Sequence, residues 1–279
     1  MRRQCSRAAL VMTLALAFIA GAPSGAQQQT TITVDGSTTV GPIAKAFAEY
    51  YMSLHKDVNI TVSESGSGNG AKSLLNRTAD IATMSRPMKD TERQAAQAEG
   101  FQPAEHVIAM DGIAIIVHPA NAMSALTIAQ ARDIYAGRTN NWKQLGGPNQ
   151  PIVVVTRDTN SGTYETFENL VMQGAKMGAR TEVLGSNGAI RQKVQSTPGA
   201  IGYVGLGFVD ATVKALTVSG VAPSPETVLS GQYPLSRPLY MYTRGEPQPG
   251  TALDAFLNLY RTPKGREIIA GLGFVPLPA

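Results

Sequence analysis

The residues best suited to hold a ligand lie where a strand-like segment passes into a helix-like one, near the middle of the chain. The apolar run 151–155 is followed by RDTNSGT at 157–163 and then by a helical pattern. The first N–H groups of a helix have no acceptor within it and lie at the positive end of its dipole. The stretch therefore offers several donors and one full charge to an anion: Arg157, Ser161, Gly162 and Thr163. Ser161 or Thr163 could equally be an ordinary helix cap.

Similar turns occur earlier in the chain. Two turns that follow strand-like runs are rich in hydroxyl groups or glycine: GSTT at 36–39 and ESGSGNG at 64–70. A third strand-like run ends in the polar turn MSRPM at 84–88. In open parallel sheets, ligands bind beyond the carboxyl ends of the strands. The turns are therefore predicted to face one common site.

Strands and helices alternate along the chain. Strand patterns occupy 30–34, 58–62, 80–83, 107–118, 152–155, 198–207 and 238–243. Helical patterns occupy 43–54, 71–77, 90–99, 126–135, 164–175, 190–195, 251–260 and 264–272. This alternation predicts an α/β fold of mixed, mainly parallel sheets flanked by helices. Two crossings are predicted, at the long strand and near 198–207, with lobe 1 at 27–111 and 208–279 and lobe 2 at 112–207.

The first 26 residues have the pattern of a secretory signal peptide. Three arginines precede an apolar run at 8–20, and the small residues at 24–26 suit cleavage near Ala26. The single cysteine, Cys5, lies in this segment, so the mature chain is expected to have neither a disulfide nor a thiolate metal site. Loss of the three arginines lowers the formal net charge from +4 to +1, which argues against a nucleic-acid or membrane-surface binder.

The motifs of common enzyme classes are incomplete in this chain. The run GSGNGAKS at 66–73 resembles a nucleotide-binding P-loop, but Ala71 stands where the motif has a glycine. Ser53 and Lys56 have the spacing of a penicillin-interacting pair but lack its accompanying Lys-Thr-Gly. No pair of histidines has the spacing of metal ligands among His55, His106 and His118. We therefore expect no enzyme activity, no metal and no cofactor.

Together these segments resemble the periplasmic phosphate-binding protein of the phosphate ABC importer, a type II periplasmic substrate-binding family. The resemblance covers essentially the whole mature chain and rests on GSTT at 36–39, the turn at 65–70, MSRPM at 84–88, Arg157 with 161–163, and PGAIGYVGLG at 198–207. In that family, two α/β lobes hinged by two crossing segments close on one dehydrated phosphate. A permease in the inner membrane then receives the ion.

The resemblance implies a phosphate site drawn from both lobes. Its residues on this chain would be Ser37, Thr38, Ser67, Ser85, Arg157, Ser161, Gly162 and Thr163. Ser65 is an alternative to Ser67, because a shift of two residues within a glycine-serine turn leaves the pattern unchanged. The resemblance also suggests that Asp158 orients Arg157 through an ion pair.

One position departs from the family pattern. Well-known members have an aspartate directly after the serine of the third strand, where it accepts the proton of hydrogen phosphate, and here that residue is Arg86. A buried acceptor distinguishes phosphate, which carries a proton, from sulfate, which does not. The acceptor is therefore expected elsewhere, with Glu64 and Asp35 as candidates by position.

Glu165 is expected to be a surface charge on its helix.

The function implied by the resemblance is capture of inorganic phosphate outside the cytoplasm and delivery to an inner-membrane ABC permease. The protein is expected to be a periplasmic monomer that does not bind nucleic acid. Two alternatives remain at this stage. One is a binding protein for sulfate or another tetrahedral oxyanion. The other is a secreted hydrolase of phosphate esters with Ser161 or Ser37 as nucleophile, although neither serine has a neighbouring base in the sequence.

Overall fold

The computed structural model describes residues 29–278. The predicted signal peptide, 1–26, lies outside the described residues. No helix within the described range is both long enough and apolar enough to cross a membrane. The alternation of strands and helices expected from the sequence is present throughout this range.

The first lobe is built on three parallel strands and the helices that connect them. In chain order its first elements are β1 (Thr30–Gly36), α1 (Gly41–Leu54), β2 (Val58–Val62), α2 (Ser67–Leu75), β3 (Ile81–Met84) and α3 (Asp90–Ala98). β1 lies between β2 and β3 and runs parallel to both. Gly36 pairs with Thr83 in this register, so the turns that follow β1 and β3 emerge side by side.

The rest of the chain completes both lobes. Its strands and helices are β4 (Ala104–Val117), β5 (Ala125–Leu126), α4 (Ile128–Tyr135), β6 (Val153–Arg157), α5 (Gly162–Phe167), β7 (Glu182–Leu184), α6 (Asn187–Ser196), β8 (Ala200–Gly205), β9 (Lys214–Ala215), β10 (Thr217–Val218), α7 (Pro225–Leu229), β11 (Ser236–Thr243), α8 (Ala252–Leu257), α9 (Pro263–Gly271) and β12 (Val275–Pro276). A π-helical turn, Glu168–Met172, continues α5.

The long strand β4 belongs to both lobes. Its first part pairs antiparallel with β11, and its second part, from Ile113, pairs antiparallel with β8. Beyond β8 the second lobe continues with β6 and β7, which run parallel to one another. The hydrogen-bonded order is therefore β2-β1-β3-β11-β4-β8-β6-β7. β4 is the first crossing that the sequence predicted.

The return to the first lobe involves the segment after β8. β9 pairs with the second-lobe part of β4, at Ile116 and Val117, and β10 pairs with β5. β11 then runs back along the first part of β4 to reach β3. These pairings favour a second crossing in β11, later than 198–207. The lobe boundaries themselves stay a prediction.

Separate apolar cores hold the two lobes. In the first lobe Phe47 of α1 packs with Phe256 and Ile269 of the C-terminal helices, which explains why the end of the chain returns there. In the second lobe the rings of Phe167 and Tyr203 stack with their centroids 3.9 Å apart. Each lobe can therefore keep its shape while the strands between them bend.

Candidate anion-binding site

Arg157 ends β6 with its side chain held between the lobes, and it is only 2% exposed. Its Nε and Nη2 donate to the carbonyls of Leu184 and Gly185 at 3.2 and 2.9 Å, and Nη1 donates to Thr38 Oγ1 of the first lobe at 3.2 Å. Asp158 Oδ2 lies 3.6 Å from Nη2, which is the ion pair that the resemblance suggested. Burial lowers the pKa of Arg157, and the charge of Asp158 opposes this shift.

The start of α5 meets two serines of the other lobe. Ser161 Oγ accepts the Tyr164 N–H at 3.2 Å and so caps the helix, as the simpler interpretation of this residue required. A Cβ placed on Gly162 would lie 2.5 Å from Ser67 Oγ and 2.8 Å from Ser85 Oγ. Only a glycine therefore allows the two serine hydroxyls to approach this helix start so closely.

The structure distinguishes the two serines of the glycine-rich turn. Ser67 is fully buried, and its Oγ accepts the Ser85 N–H at 3.1 Å. Ser65 is exposed, and its carbonyl accepts the side-chain amide of Asn69. Ser67 is thus the residue that can share a site with Ser85, and Ser65 faces solvent.

The turn after β1 brings its hydroxyl groups to the same place. Ser37 is 2% exposed, and its Oγ accepts the Thr39 N–H at 3.1 Å. Thr38 contacts Arg157 as described, and Thr39 Oγ1 lies 3.0 Å from Thr163 Oγ1 of α5. The structure therefore gathers all the expected residues, from four loops, in one buried region: Ser37, Thr38, Ser67, Ser85, Arg157, Ser161, Gly162 and Thr163.

Asn187 is a member of this region that the sequence analysis missed. It is fully buried at the start of α6, and its Nδ2 donates to Thr38 Oγ1 and Thr39 Oγ1 at 3.0 and 2.9 Å. The helix was predicted to begin at residue 190, three residues too late. Ser186 caps it by accepting the Ala189 N–H. A serine followed by Asn-Gly after a strand was the available signal, since it repeats the pattern of the other turns.

A buried ion pair on β4 and β11 contacts two residues of the site loops, Thr39 and Ser85. Arg237 of β11 donates from Nε and Nη2 to Asp111 Oδ2 of β4, at 3.0 and 2.8 Å. Its Nη1 also donates to the Ser85 carbonyl at 3.0 Å, and Nη2 approaches Thr39 Oγ1 at 3.4 Å. Burial raises the pKa of Asp111 and lowers that of Arg237, while the attraction between them opposes both shifts.

Arg86, which replaces the family aspartate, has carboxylate partners from both lobes. Its Nη1 and Nη2 donate to the Glu92 carboxylate at 2.8 and 2.7 Å. Its Nε lies 2.9 Å from Glu165 Oε2 of α5, which also pairs with Lys89 at 2.8 Å. Burial alone would lower the pKa of Arg86, but Glu92 and Glu165 outweigh it and raise that pKa. Glu165 is therefore an interlobe contact, and its interpretation as a surface charge was wrong.

The two carboxylates considered as substitutes for the missing aspartate have other contacts. Glu64 pairs with Lys45 at 2.7 Å near the surface. Asp35 Oδ2 accepts the Ser73 hydroxyl at 2.6 Å, and among the residues that the structure describes the buried Oδ1 of Asp35 has no hydrogen-bond partner. Among the residues that the structure describes, no group of three or more acidic, histidine or cysteine side chains is arranged to hold a metal ion.

The chain matches a family model and is similar in sequence to several named proteins. A family model described as a PBP superfamily domain matches residues 21–261. The protein named SphX of Synechococcus elongatus is 34% identical over 269 residues, which cover 90% of this chain and 79% of SphX. The phosphate-binding protein PstS of Pseudomonas aeruginosa is 33% identical over 266 residues, which cover 88% of this chain and 82% of PstS.

Solved structures are similar as well. One from Clostridium perfringens, described as a candidate phosphate ABC transporter substrate-binding protein with bound phosphate, is 35% identical with a TM-score of 0.82. The match covers 89% of this chain and all of that one. An ABC-type phosphate transport receptor from Vibrio cholerae is 32% identical with a TM-score of 0.71, over 88% of this chain and all of that one. These matches confirm the two-lobed α/β fold that the sequence analysis expected.

Proposed function

The chain belongs to the phosphate-binding proteins of the PBP superfamily, and from this premise we propose that it captures inorganic phosphate between its lobes and delivers it to an ABC import permease. The observation that carries the proposal is the contact of the buried Arg157 guanidinium with the Thr38 hydroxyl of the other lobe, together with the contact between the hydroxyls of Thr39 and Thr163. The protein is a binding protein and not an enzyme. The relatives that it matches over most of their length are also named as binding proteins.

The proposed contacts explain how a dehydrated ion is held. Transfer of an anion out of water is costly unless hydrogen-bond donors replace its hydration shell. Arg157 supplies the charge, and main-chain N–H groups at the start of α5 add donors directed at the same place. The full proposed set is Ser37, Thr38, Ser67, Ser85, Arg157, Ser161, Gly162 and Thr163.

Closure of the lobes is the proposed binding step. The Gly68 N–H donates to the Asn160 carbonyl at 2.9 Å across the interface, beside the contact of Gly162 with the two serines. Each lobe alone holds only part of the donor set, so phosphate would stabilise the closed form selectively. X-ray scattering with and without phosphate tests this step. An unchanged radius of gyration would contradict closure about β4 and β11.

Phosphate is the proposed ligand, in preference to sulfate. Three carboxylates near the loops of the site are engaged with arginine, since Asp111 pairs with Arg237 and both Glu92 and Glu165 pair with Arg86. We therefore propose that selectivity does not depend on a carboxylate in the family position. The preference for phosphate rests on the phosphate-binding relatives that the chain matches over most of their length.

Calorimetric titration of the purified protein with phosphate, arsenate and sulfate tests the function. We expect tight binding of phosphate, similar but weaker binding of arsenate, and much weaker binding of sulfate. Tighter binding of sulfate would assign the protein to the alternative oxyanion class. Failure to bind any of the three would overturn the proposal.

The location and assembly of the protein follow from the same family. We propose that it acts outside the cytoplasm, in the periplasm, after cleavage of the signal peptide near Ala26, and that it works as a monomer. N-terminal sequencing of the protein from a periplasmic extract tests the cleavage position. Light scattering after size-exclusion chromatography, with and without phosphate, tests the monomer.

A further inference from the structure

The side-chain amide of Asn187 is held in one orientation by a hydrogen bond with β8. Its Oδ1 accepts the main-chain N–H of Gly205, at the end of β8, at 3.2 Å. A main-chain N–H can only donate, so the amide oxygen must face Gly205 and the NH2 group must face the opposite way. The NH2 group therefore points across the interface, at the hydroxyl groups of the first lobe.

The amide constrains the hydroxyl group of Thr38. Thr38 Oγ1 accepts one hydrogen from Asn187 Nδ2 at 3.0 Å and another from Arg157 Nη1 at 3.2 Å. A hydroxyl oxygen has two lone pairs and one hydrogen. With both lone pairs engaged, the hydrogen of Thr38 can only be donated in the remaining direction.

A second hydroxyl is constrained in the same way. Thr39 Oγ1 accepts from Asn187 Nδ2 at 2.9 Å and lies 3.4 Å from Arg237 Nη2. Its own hydrogen is then available for Thr163 Oγ1, which lies 3.0 Å away. Thr163 accepts in that contact, so its hydrogen is left for another acceptor. One amide on α6 thereby sets the direction of hydrogens in both lobes.

We propose that Asn187 is a positioning residue that makes Thr38 and Thr163 hydrogen-bond donors toward the bound oxyanion. The proposal rests on the proposed function, because it assigns a role within the same phosphate site. Asn187 acts through the two threonines and supplies specificity for anion oxygens that accept hydrogen bonds. The role also depends on closure, because the Asn187 amide on the second lobe can donate to Thr38 and Thr39 of the first lobe only when the lobes are in contact.

An aspartate at position 187 would reverse this polarity while keeping the shape of the side chain. One carboxylate oxygen could still accept from Gly205 N–H, and the other would accept hydrogens from Thr38 and Thr39. Thr38 would then turn a lone pair toward the anion. Such a site prefers an oxygen that carries a proton, and phosphate carries more protons as the pH falls.

The test compares phosphate affinity in Asn187→Asp with that in the double variant Asn187→Asp, Thr38→Val. Both variants carry the same new charge, so repulsion of the anion is common to them. Between about pH 8 and about pH 6, we expect the affinity of the single variant to improve by about tenfold more than that of the double variant, since only it retains the reversed hydroxyl. Equal pH dependence in the two variants would overturn the proposal.

The charged groups around Asn187, Thr38 and Thr39 affect the pH dependence of phosphate affinity equally in the single and the double variant. They are Arg157 on β6, Arg237 on β11 and its partner Asp111 on β4, and both variants retain all three. Circular dichroism checks that each variant is folded. The unsubstituted protein serves as the reference, because its failure to bind phosphate would refute the proposed function and not the role of Asn187.

A second pair of variants covers the case in which the aspartate prevents folding. Asn187→Leu removes the amide, which should lower phosphate affinity about tenfold by releasing the Thr38 hydroxyl. Thr38→Val should then cost less in the Asn187→Leu background than in the native one. Fully additive losses would contradict a role that acts through Thr38.

Discussion

Two of the regions in which the lobes meet are built differently. The inner region is almost free of solvent and consists of a network around hydroxyl groups: Thr38, Thr39, Asp111, Arg157, Thr163, Asn187 and Arg237. The outer region is a cluster of ion pairs that is partly open to solvent: Arg86, Lys89, Glu92 and Glu165. Both hold the lobes together, but the inner region also presents the donors that are proposed to bind phosphate.

This difference separates two kinds of stabilisation. The outer ion pairs satisfy one another without a ligand, and salt weakens contacts of this kind when they are near solvent. The inner groups are removed from water, where a charge that loses its partner is strongly destabilising. We infer that the inner region couples closure to the presence of an anion, whereas the outer region adjusts the strength of closure.

The largest effect is expected from Asp111→Asn in the inner region. The substitution leaves Arg237 buried without a carboxylate partner, since Asp111 is its ion-pair partner and is fully buried. We expect the free energy of unfolding to fall by about 3–5 kcal/mol. Chemical denaturation of the ligand-free protein measures this change.

Asp210→Asn is the matched control for that prediction. Asp210 also pairs with an arginine, Arg191, at 2.8 Å, but both side chains are more than one-third exposed. The control should lose less than about 1 kcal/mol. Similar losses in the two variants would show that burial does not distinguish the pairs.

The next effect in size is expected from Arg157→Met, which tests the donor role of the inner region. Removal of a buried charged donor typically costs about 2–5 kcal/mol of binding free energy, so phosphate affinity should fall about thirtyfold or more. Arg191→Met removes a partly exposed arginine of the same lobe and should leave affinity unchanged. Titration calorimetry at constant ionic strength compares the two. An intact affinity in Arg157→Met would rule out Arg157 as the source of charge.

The inner and outer regions also differ in how many of their residues could be predicted from the sequence. The loops of the inner site could be predicted because each follows a strand and carries small hydroxyl or glycine residues. The spacing of Arg157 and Gly162 adds one of the motifs on which the resemblance to the family rests. Parallel strand pairing then brings these loops together, which is a consequence of topology and not of the identity of each residue.

Contacts that depend on side-chain direction could not be predicted. Glu165 has the sequence context of a surface charge, and only the approach of the first lobe brings it to Arg86. The pairing of Asp111 with Arg237 joins residues on two strands whose register was unknown. Asn187 was missed because its helix was predicted to begin too late, at 190. For Glu165 and for the Asp111–Arg237 pair the missing information was the relative position of distant segments, whereas Asn187 had a local signal in the Ser-Asn-Gly turn before its helix.

Glu165→Gln tests the outer region and should have a smaller effect. Arg86 would lose one of its two carboxylates but retain Glu92, so the loss of phosphate affinity should be less than about tenfold. Phosphate dissociation measured by stopped flow should become faster, and the dependence of the rate on salt should weaken. Glu168→Gln, one helical turn away, is the matched control, since the Glu168 side chain accepts from the Tyr164 hydroxyl of its own lobe. Equal salt dependence in the native protein and Glu165→Gln would exclude an electrostatic role for this contact.

The smallest effect is expected at His106, which lies on β4 with Asp111 but outside both contact regions. Burial lowers the pKa of His106, although the charge of Glu246 opposes this, and its Nε2 lies 3.3 Å from Thr243 Oγ1. The unfolded chain takes up the proton first, near its ordinary pKa of about 6.5. Stability from the neutral ring is therefore complete above that pH and decreases as the pH falls toward the lower pKa of the folded state.

The decrease can reach at most about 1.4 kcal/mol for each unit of pH over which only the unfolded state is protonated. His106→Gln should abolish this part of the pH dependence, which denaturation curves of both proteins between about pH 7 and about pH 5 would reveal. His55→Gln removes an exposed histidine and serves as the control. A His106→Gln curve parallel to that of the native protein would assign the acid sensitivity to other groups, and the buried pair of the inner region would be the next to examine.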